Sequence, residues 1–252
     1  MSSRLVIVHF HLFKNAGTSV EASLRATFGD RWISYDGPSA AHRLLQSDIE
    51  SHLNEHPEVV CISSHQVRPP LNSTDEFRFL PVVFLRDPID RLRSAYEFER
   101  NQGPVSPSAI AAAEGSLAQW IDFHNGRGSN QCANFQTMAM TSLRNDQNGA
   151  PLARLPIADH VASAKEFLGE LGAIGVVEEF DRSMDALQRW LRTEIPDFSW
   201  TSEFLNKGAS STTDLESRLS AVADEIGEER YQALVAANQA DRELLAWVAR
   251  RQ

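Results

Sequence analysis

The chain has 252 residues, 42% of them hydrophobic and 23% charged, and a formal net charge of -10. That length and composition suffice for a full core, so disorder is excluded and a single domain over residues 1–252 is expected. The acidic balance argues against nucleic-acid binding, which needs a basic surface, and favours neutral or weakly charged partners over strongly anionic polymers.

The first predicted strand is Leu5 to Phe10, an apolar stretch interrupted by His9. It runs into His11-Leu12-Phe13-Lys14-Asn15-Ala16-Gly17-Thr18-Ser19, and then into a segment with helical spacing, Val20, Leu24 and Phe28. Strand, short loop and helix start make an anion cradle. The backbone N–H groups of Asn15, Ala16, Gly17, Thr18 and Ser19, the two hydroxyls and the exposed helix N-terminus converge, and Lys14 adds a full charge. A phosphate or sulfuryl group fits such a loop. The nucleoside-triphosphate pattern places its lysine after the glycines and next to a magnesium-binding hydroxyl, whereas here Lys14 precedes the glycine.

A second strand is predicted over Val59 to Ser63, with Ser64 and His65 at its end, and a third over Val82 to Leu85. Arg86 follows that strand directly, and Asp87 and Pro88 read as the N-cap and first residue of a helix. Arg91 and Ser94 lie three apart on that helix and share a face, where they can grip a second phosphate, unless Arg91 simply supports the helix. Loops are expected over Asn101 to Ser108 and Asn145 to Pro156, and a fourth strand over Ala173 to Val177. The alternation predicts an α/β fold: a P-loop-like, mostly parallel sheet with helices on both faces, and ligands at the carboxyl ends of the strands.

With its phosphate-sized lysine loop and the later Arg86-Asp87-Pro88-x-x-Arg91-x-x-Ser94-x-Tyr96, the chain resembles the sulfotransferases that use 3'-phosphoadenosine-5'-phosphosulfate (PAPS). Within them it is similar to the branch of heparan sulfate and other carbohydrate sulfotransferases. Weaker similarities at Ser64-His65-Gln66-Val67, Asn130-Gln131, Gly175 to Ser183 and Asn206-Lys207-Gly208 extend the resemblance over nearly the whole chain. It implies that the lysine loop holds the 5'-phosphosulfate, that Arg86 and Ser94 bind the 3'-phosphate, and that Lys207 and Gly208 close over that end. The helical segments after the second motif would shape the acceptor site, with Gln131 and Gln136 as candidates for acceptor hydroxyls.

Lys14 would stabilise the departing phosphate, with no metal required. His65 is the expected general base, because a near-neutral imidazole at a strand end can take the acceptor hydroxyl's proton; His11 is the second candidate. Ser64 stands where relatives commonly have glycine. The acceptor is expected to be a carbohydrate or another small alcohol. Cys61 and Cys132 are too far apart in sequence for a metal motif and read as free thiols of a reducing cytoplasm. No signal peptide or membrane anchor is legible, so a soluble, bacterial-type enzyme is expected. The rival readings are an ATP-dependent kinase on a similar scaffold and a catalytically inactive nucleotide-binding relative.

Overall fold

The computed structural model describes residues 3–39, 42–142, 155–200 and 214–251. The chain divides into two compact units, one made of Met1–Leu85 and Ala139–Asn206, the other of Arg86–Met138 and Lys207–Gln252.

The first unit holds the sheet. Its strands are β1 (Arg4–Phe10), β2 (Trp32–Ser34), β3 (Cys61–Ser64), β4 (Phe77–Leu85) and β5 (Ile174–Val176), in the order β2-β3-β1-β4-β5. All pairings are parallel, as an α/β chain whose strands alternate with helices requires. From β1 the chain runs to the edge strand β2 and returns inward to β3, then crosses β1 to β4 and continues outward to β5. The order thus reverses at β1, and the loop after it leaves the sheet where ligands of open α/β folds bind.

Side-chain alternation gives the sheet two buried faces. On one, Ile7, Cys61, Leu80, Val82 and Phe84 pack with Val20, Leu24 and Phe28 of α1 (Gly17–Phe28) and with Met184, Leu187 and Leu191 of α8 (Phe180–Leu191). On the other, Phe10 meets Phe167 of α7 (Ile157–Gly169) at 5.4 Å between ring centroids. Each of these large apolar side chains contributes about 1.5–3 kcal/mol by leaving water. β4 starts at Phe77, five residues before the expected Val82. Pro81 is tolerated inside it because β5 joins only from Val83 onward, so β4 is an edge on that side at the proline. The remaining helix of this unit, α2 (Gln46–Glu55), buries Ile49 and Leu53.

The second unit is helical: α3 (Pro88–Asn101), α4 (Pro107–Glu114), α5 (Leu117–Gly126), α9 (Leu215–Ile226), α10 (Glu228–Ala237) and α11 (Gln239–Ala249). Asp87 caps α3 as expected, accepting from the N–H groups of Ile89 and Asp90 at 2.9 and 3.1 Å. Trp120 is fully buried; its ring lies 5.8 Å from Tyr96 and its indole N–H donates to Glu99 at 2.9 Å. The buried Asp241 of α11 accepts from the N–H groups of Gln136 and Thr137, which open α6 (Phe135–Met140). No helix among the described residues is long and apolar enough to cross a membrane.

Candidate active site

In the first unit the site starts where β1 ends. His11 N–H donates to the Ser64 carbonyl at 2.9 Å, which carries the β1–β3 alignment one step past the strands, and the chain then turns through Asn15 N–H to Leu12 O at 3.1 Å. Lys14 and Ala16 both adopt left-handed backbone, with φ of 66° and 58°. Such strain costs of order 1–3 kcal/mol per residue and persists only where surrounding contacts hold it. Asn15 supplies one of those contacts, since its buried side chain donates to the Phe84 carbonyl of β4 at 2.7 Å. Its side chain is therefore a structural pin, whatever its backbone offers a ligand. The Ala16 carbonyl accepts from the N–H groups of Ser19 and Val20, at 3.0 and 3.2 Å. That leaves the amides of Gly17 and Thr18 as the first donors of the helix terminus. No acidic residue occupies the first turn of α1, so nothing there opposes an anion.

Gly17 is required for space. A Cβ on it would lie 1.8 Å from Cδ2 and 2.0 Å from Nε2 of His11, so the His11 ring is laid directly against the loop backbone. The other edge of that ring is fixed: Nδ1 bonds Glu21 Oε1 of α1 at 2.8 Å. The same carboxylate oxygen accepts the Ser63 hydroxyl at 2.5 Å, and Ser63 Oγ is 2.8 Å from His9 Nδ1. The register explains the grouping, because His9 and Ser63 are cross-strand partners on the sheet face that α1 covers. Burial opposes ionisation of Glu21, yet its hydrogen bonds from His11 and Ser63 win and bring its pKa down to about 2. Burial, with His11 adding to it, pushes His9 down to about 3, so that ring is neutral.

The His65 ring lies against that of His11, 4.0 Å between centroids and tilted by 33°, and its Nδ1 lies 2.8 Å from the His11 carbonyl. A carbonyl only accepts, so Nδ1 carries the proton and Nε2 keeps its lone pair. Removal of part of the ring from water, and then the neighbouring His11, lower the His65 pKa from its ordinary value, against a smaller opposing effect of Asp36. Ser64 has a clear task in the place of a glycine: its hydroxyl donates to Asp36 Oδ1 at 2.8 Å and accepts from the N–H groups of Gln66 and Val67. Asp36 also accepts His65 N–H at 2.9 Å, so both residues hold the turn that presents the imidazole.

Among the described residues, His9, His11 and Glu21 bring metal-ligating atoms within 4.8 Å of one another. Those side chains are linked by hydrogen bonds, directly or through Ser63, to one carboxylate oxygen, the arrangement of a proton network.

In the second unit, Arg86 is held at both ends. The Gln136 side-chain amide brackets its backbone, accepting from N–H at 2.9 Å and donating to the carbonyl at 2.8 Å. Its guanidinium bonds Asp90 through Nε at 2.9 Å and Nη2 at 2.8 Å. Arg218 of α9 bonds the same carboxylate at 2.8 and 3.0 Å. Burial raises the Asp90 pKa, but Arg218 and Arg86 outweigh it and hold the carboxylate ionised. Two guanidinium groups on one carboxylate leave a net positive charge, which suits a phosphate. Ser94 lies half-buried in the second turn of α3.

A sulfotransferase family model matches residues 1–247. The chain belongs to the sulfotransferase family. It is also 28% identical over 246 residues to an uncharacterised protein of Archaeoglobus fulgidus, covering 95% of this chain and 94% of that protein. For a sulfotransferase, the structure revises several expectations. Arg91 does not share a phosphate with Ser94. It is fully buried, its guanidinium lies 4.4 Å over the Phe135 ring and donates to the Gln131 carbonyl, and burial pulls its pKa down to about 10. Gln136 has its amide engaged on Arg86 instead of facing an acceptor. Lys207 and Gly208 lie outside the described residues. Glu21, Asp36, Ser63 and Arg218 escaped sequence reasoning, because each acts through a partner at least ten residues away.

Proposed function

We propose that this sulfotransferase moves the sulfuryl group of PAPS to the hydroxyl of a carbohydrate or another small alcohol. The observation that carries the reading is His65: its Nδ1–H is tied to the carbonyl of His11, beside the lysine loop, so Nε2 is available as a base. In this reading the 5' end of the donor rests on Lys14 and the amides of Gly17 and Thr18, and Arg86 with Ser94 takes the 3'-phosphate that distinguishes the donor from ATP. His65 removes the acceptor proton as the oxygen attacks sulfur, the sulfur–oxygen bond to the 5'-phosphate breaks, and Lys14 balances the charge on the departing group. The products are a sulfate ester and adenosine 3',5'-bisphosphate. No metal takes part in this scheme. In this reading one domain spans the chain, helical segments after the second motif shape the acceptor site, and the enzyme works in the cytoplasm.

Calorimetric titration with adenosine 3',5'-bisphosphate without magnesium, beside ATP with magnesium, tests the donor. Tight metal-independent binding that weakens roughly tenfold or more in Arg86→Ala is expected, since a charge-assisted phosphate contact is lost. Preference for magnesium-ATP would overturn the reading in favour of a kinase. Donor binding without transfer to any alcohol would leave a nucleotide-binding relative.

A further inference from the structure

The histidine cluster has a direction. Glu21 is ionised, so its Oε1 only accepts, and both His11 Nδ1 and the Ser63 hydroxyl donate to it. Having spent its proton on Glu21, Ser63 Oγ accepts from His9, whose Nδ1 must then carry the hydrogen. His65 donates through Nδ1 to the backbone of His11 and packs against its ring at a tilt. His9 and His65 are thereby Nδ1–H tautomers, His11 likewise carries a hydrogen on Nδ1, and for His9 and His11 the direction terminates on one oxygen. The Nε2 edge of His11 consequently lies against Gly17, at the start of the helix where the anion cradle is.

We propose that Glu21 is a positioning residue: its carboxylate fixes the direction of the imidazole network and holds His11 with Nε2 toward the anion loop. Through the adjacent ring and the carbonyl of His11, it also steadies His65. The consequence for turnover rests on the PAPS reading given above, whereas the direction of the network stands without it. Glu21 touches no reacting atom. A glutamine at this position keeps an oxygen that accepts two hydrogen bonds, and an alanine removes it, so the two variants separate orientation from simple loss of a side chain.

The experiment compares wild type, Glu21→Gln and Glu21→Ala by 15N-resolved imidazole spectra near neutral pH. In parallel it reads release of inorganic sulfate from PAPS with water as acceptor, and calorimetric binding of adenosine 3',5'-bisphosphate. In the sulfate assay the water oxygen bonds to sulfur, its proton passes to His65, and the bond to the 5'-phosphate breaks. Wild type is expected to show a hydrogen held on Nδ1 in each of His9, His11 and His65. In Glu21→Ala the His11 signal should become a mixture, and sulfate release should fall on the order of tenfold or more with nucleotide binding within about twofold, the mark of lost orientation. Glu21→Gln should restore the hydrogen on His11 Nδ1 and most of the rate. Ser63→Ala removes the bonds of Ser63 to both Glu21 and His9 and leaves Glu21 bonded to His11; it should leave the His11 signal unchanged, and if Glu21→Ala does not fold, a changed His11 signal in Ser63→Ala overturns the proposal. A wild-type spectrum in Glu21→Ala overturns the proposal, as does a Glu21→Gln variant with the wild-type tautomer but the alanine variant's rate. Failure of the wild-type protein to bind the bisphosphate would refute the donor reading alone, with the spectra still deciding the network.

Discussion

His65 shows how one hydrogen bond sets a residue's chemistry. Its ring is exposed, yet Nδ1 is committed to the His11 carbonyl, so any proton it takes arrives on Nε2. Partial burial and then the adjacent His11 both disfavour the imidazolium, so the His65 pKa lies below the ordinary histidine value of about 6.5. A base must be deprotonated to act. The rate of sulfate transfer should therefore fall on the acid side with a midpoint below about pH 6.5, and the neutral range should be flat with respect to this group. The pH profile of kcat in wild type and in His65→Gln checks this: the acid limb should vanish together with most of the rate in the variant. A midpoint at or above the ordinary histidine value would remove His65 from the role of base.

At the scale of elements, the loop after β1 is a joint construction of strand, turn and helix. Lys14 and Ala16 are strained, Asn15 ties the turn to β4, and Gly17 leaves room for the His11 ring that α1 holds through Glu21. Gly17→Ala would force out a ring fixed on its far side. We expect it to destabilise the protein by about 1–3 kcal/mol through overpacking, read as a lower urea midpoint, and to release the hydrogen held on His11 Nδ1. Unchanged stability would mean that the ring yields freely. The lysine loop, the strand–Arg86–helix junction and the parallel sheet were legible in sequence, because each is local: an apolar run, a cap and a charge within about fifteen residues. What was not legible depends on packing. Arg91 and Ser94 share a helical spacing, but only the position of Phe135 shows that the arginine turns inward. Gln136 reads in sequence as a candidate for acceptor hydroxyls, and only the fold shows its two amide groups on the backbone of Arg86. β4 begins before its predicted start because Arg78 and Pro81 break the apolar pattern without breaking the ladder to β1.

For the whole molecule, the buried histidines tie stability to pH with one sign. His9 falls to about 3 and His124 to about 4, in both cases mainly through burial, and Glu21 falls to about 2. In the unfolded chain these groups regain ordinary values, so on acidification the unfolded state binds protons before the folded state does. Stability is thus fully present above about pH 6.5 and declines as pH falls, first through the two histidines and then, below about pH 4.5, through Glu21 as well. Each group adds a slope of up to about 1.4 kcal/mol per pH unit within its own window. Urea midpoints measured between pH 7.5 and 4.5, a range taken from the ordinary and shifted values above, should drop steadily on the acid side. In His9→Gln, which keeps a polar side chain beside Ser63 but cannot bind a proton, the decline should be shallower by about one group's slope, even though the variant is less stable near neutrality. An identical slope in the two proteins would mean that His9 is protonated in the folded state as well; its Nδ1–H would still donate to Ser63, and the neutral state assigned to the ring would fall.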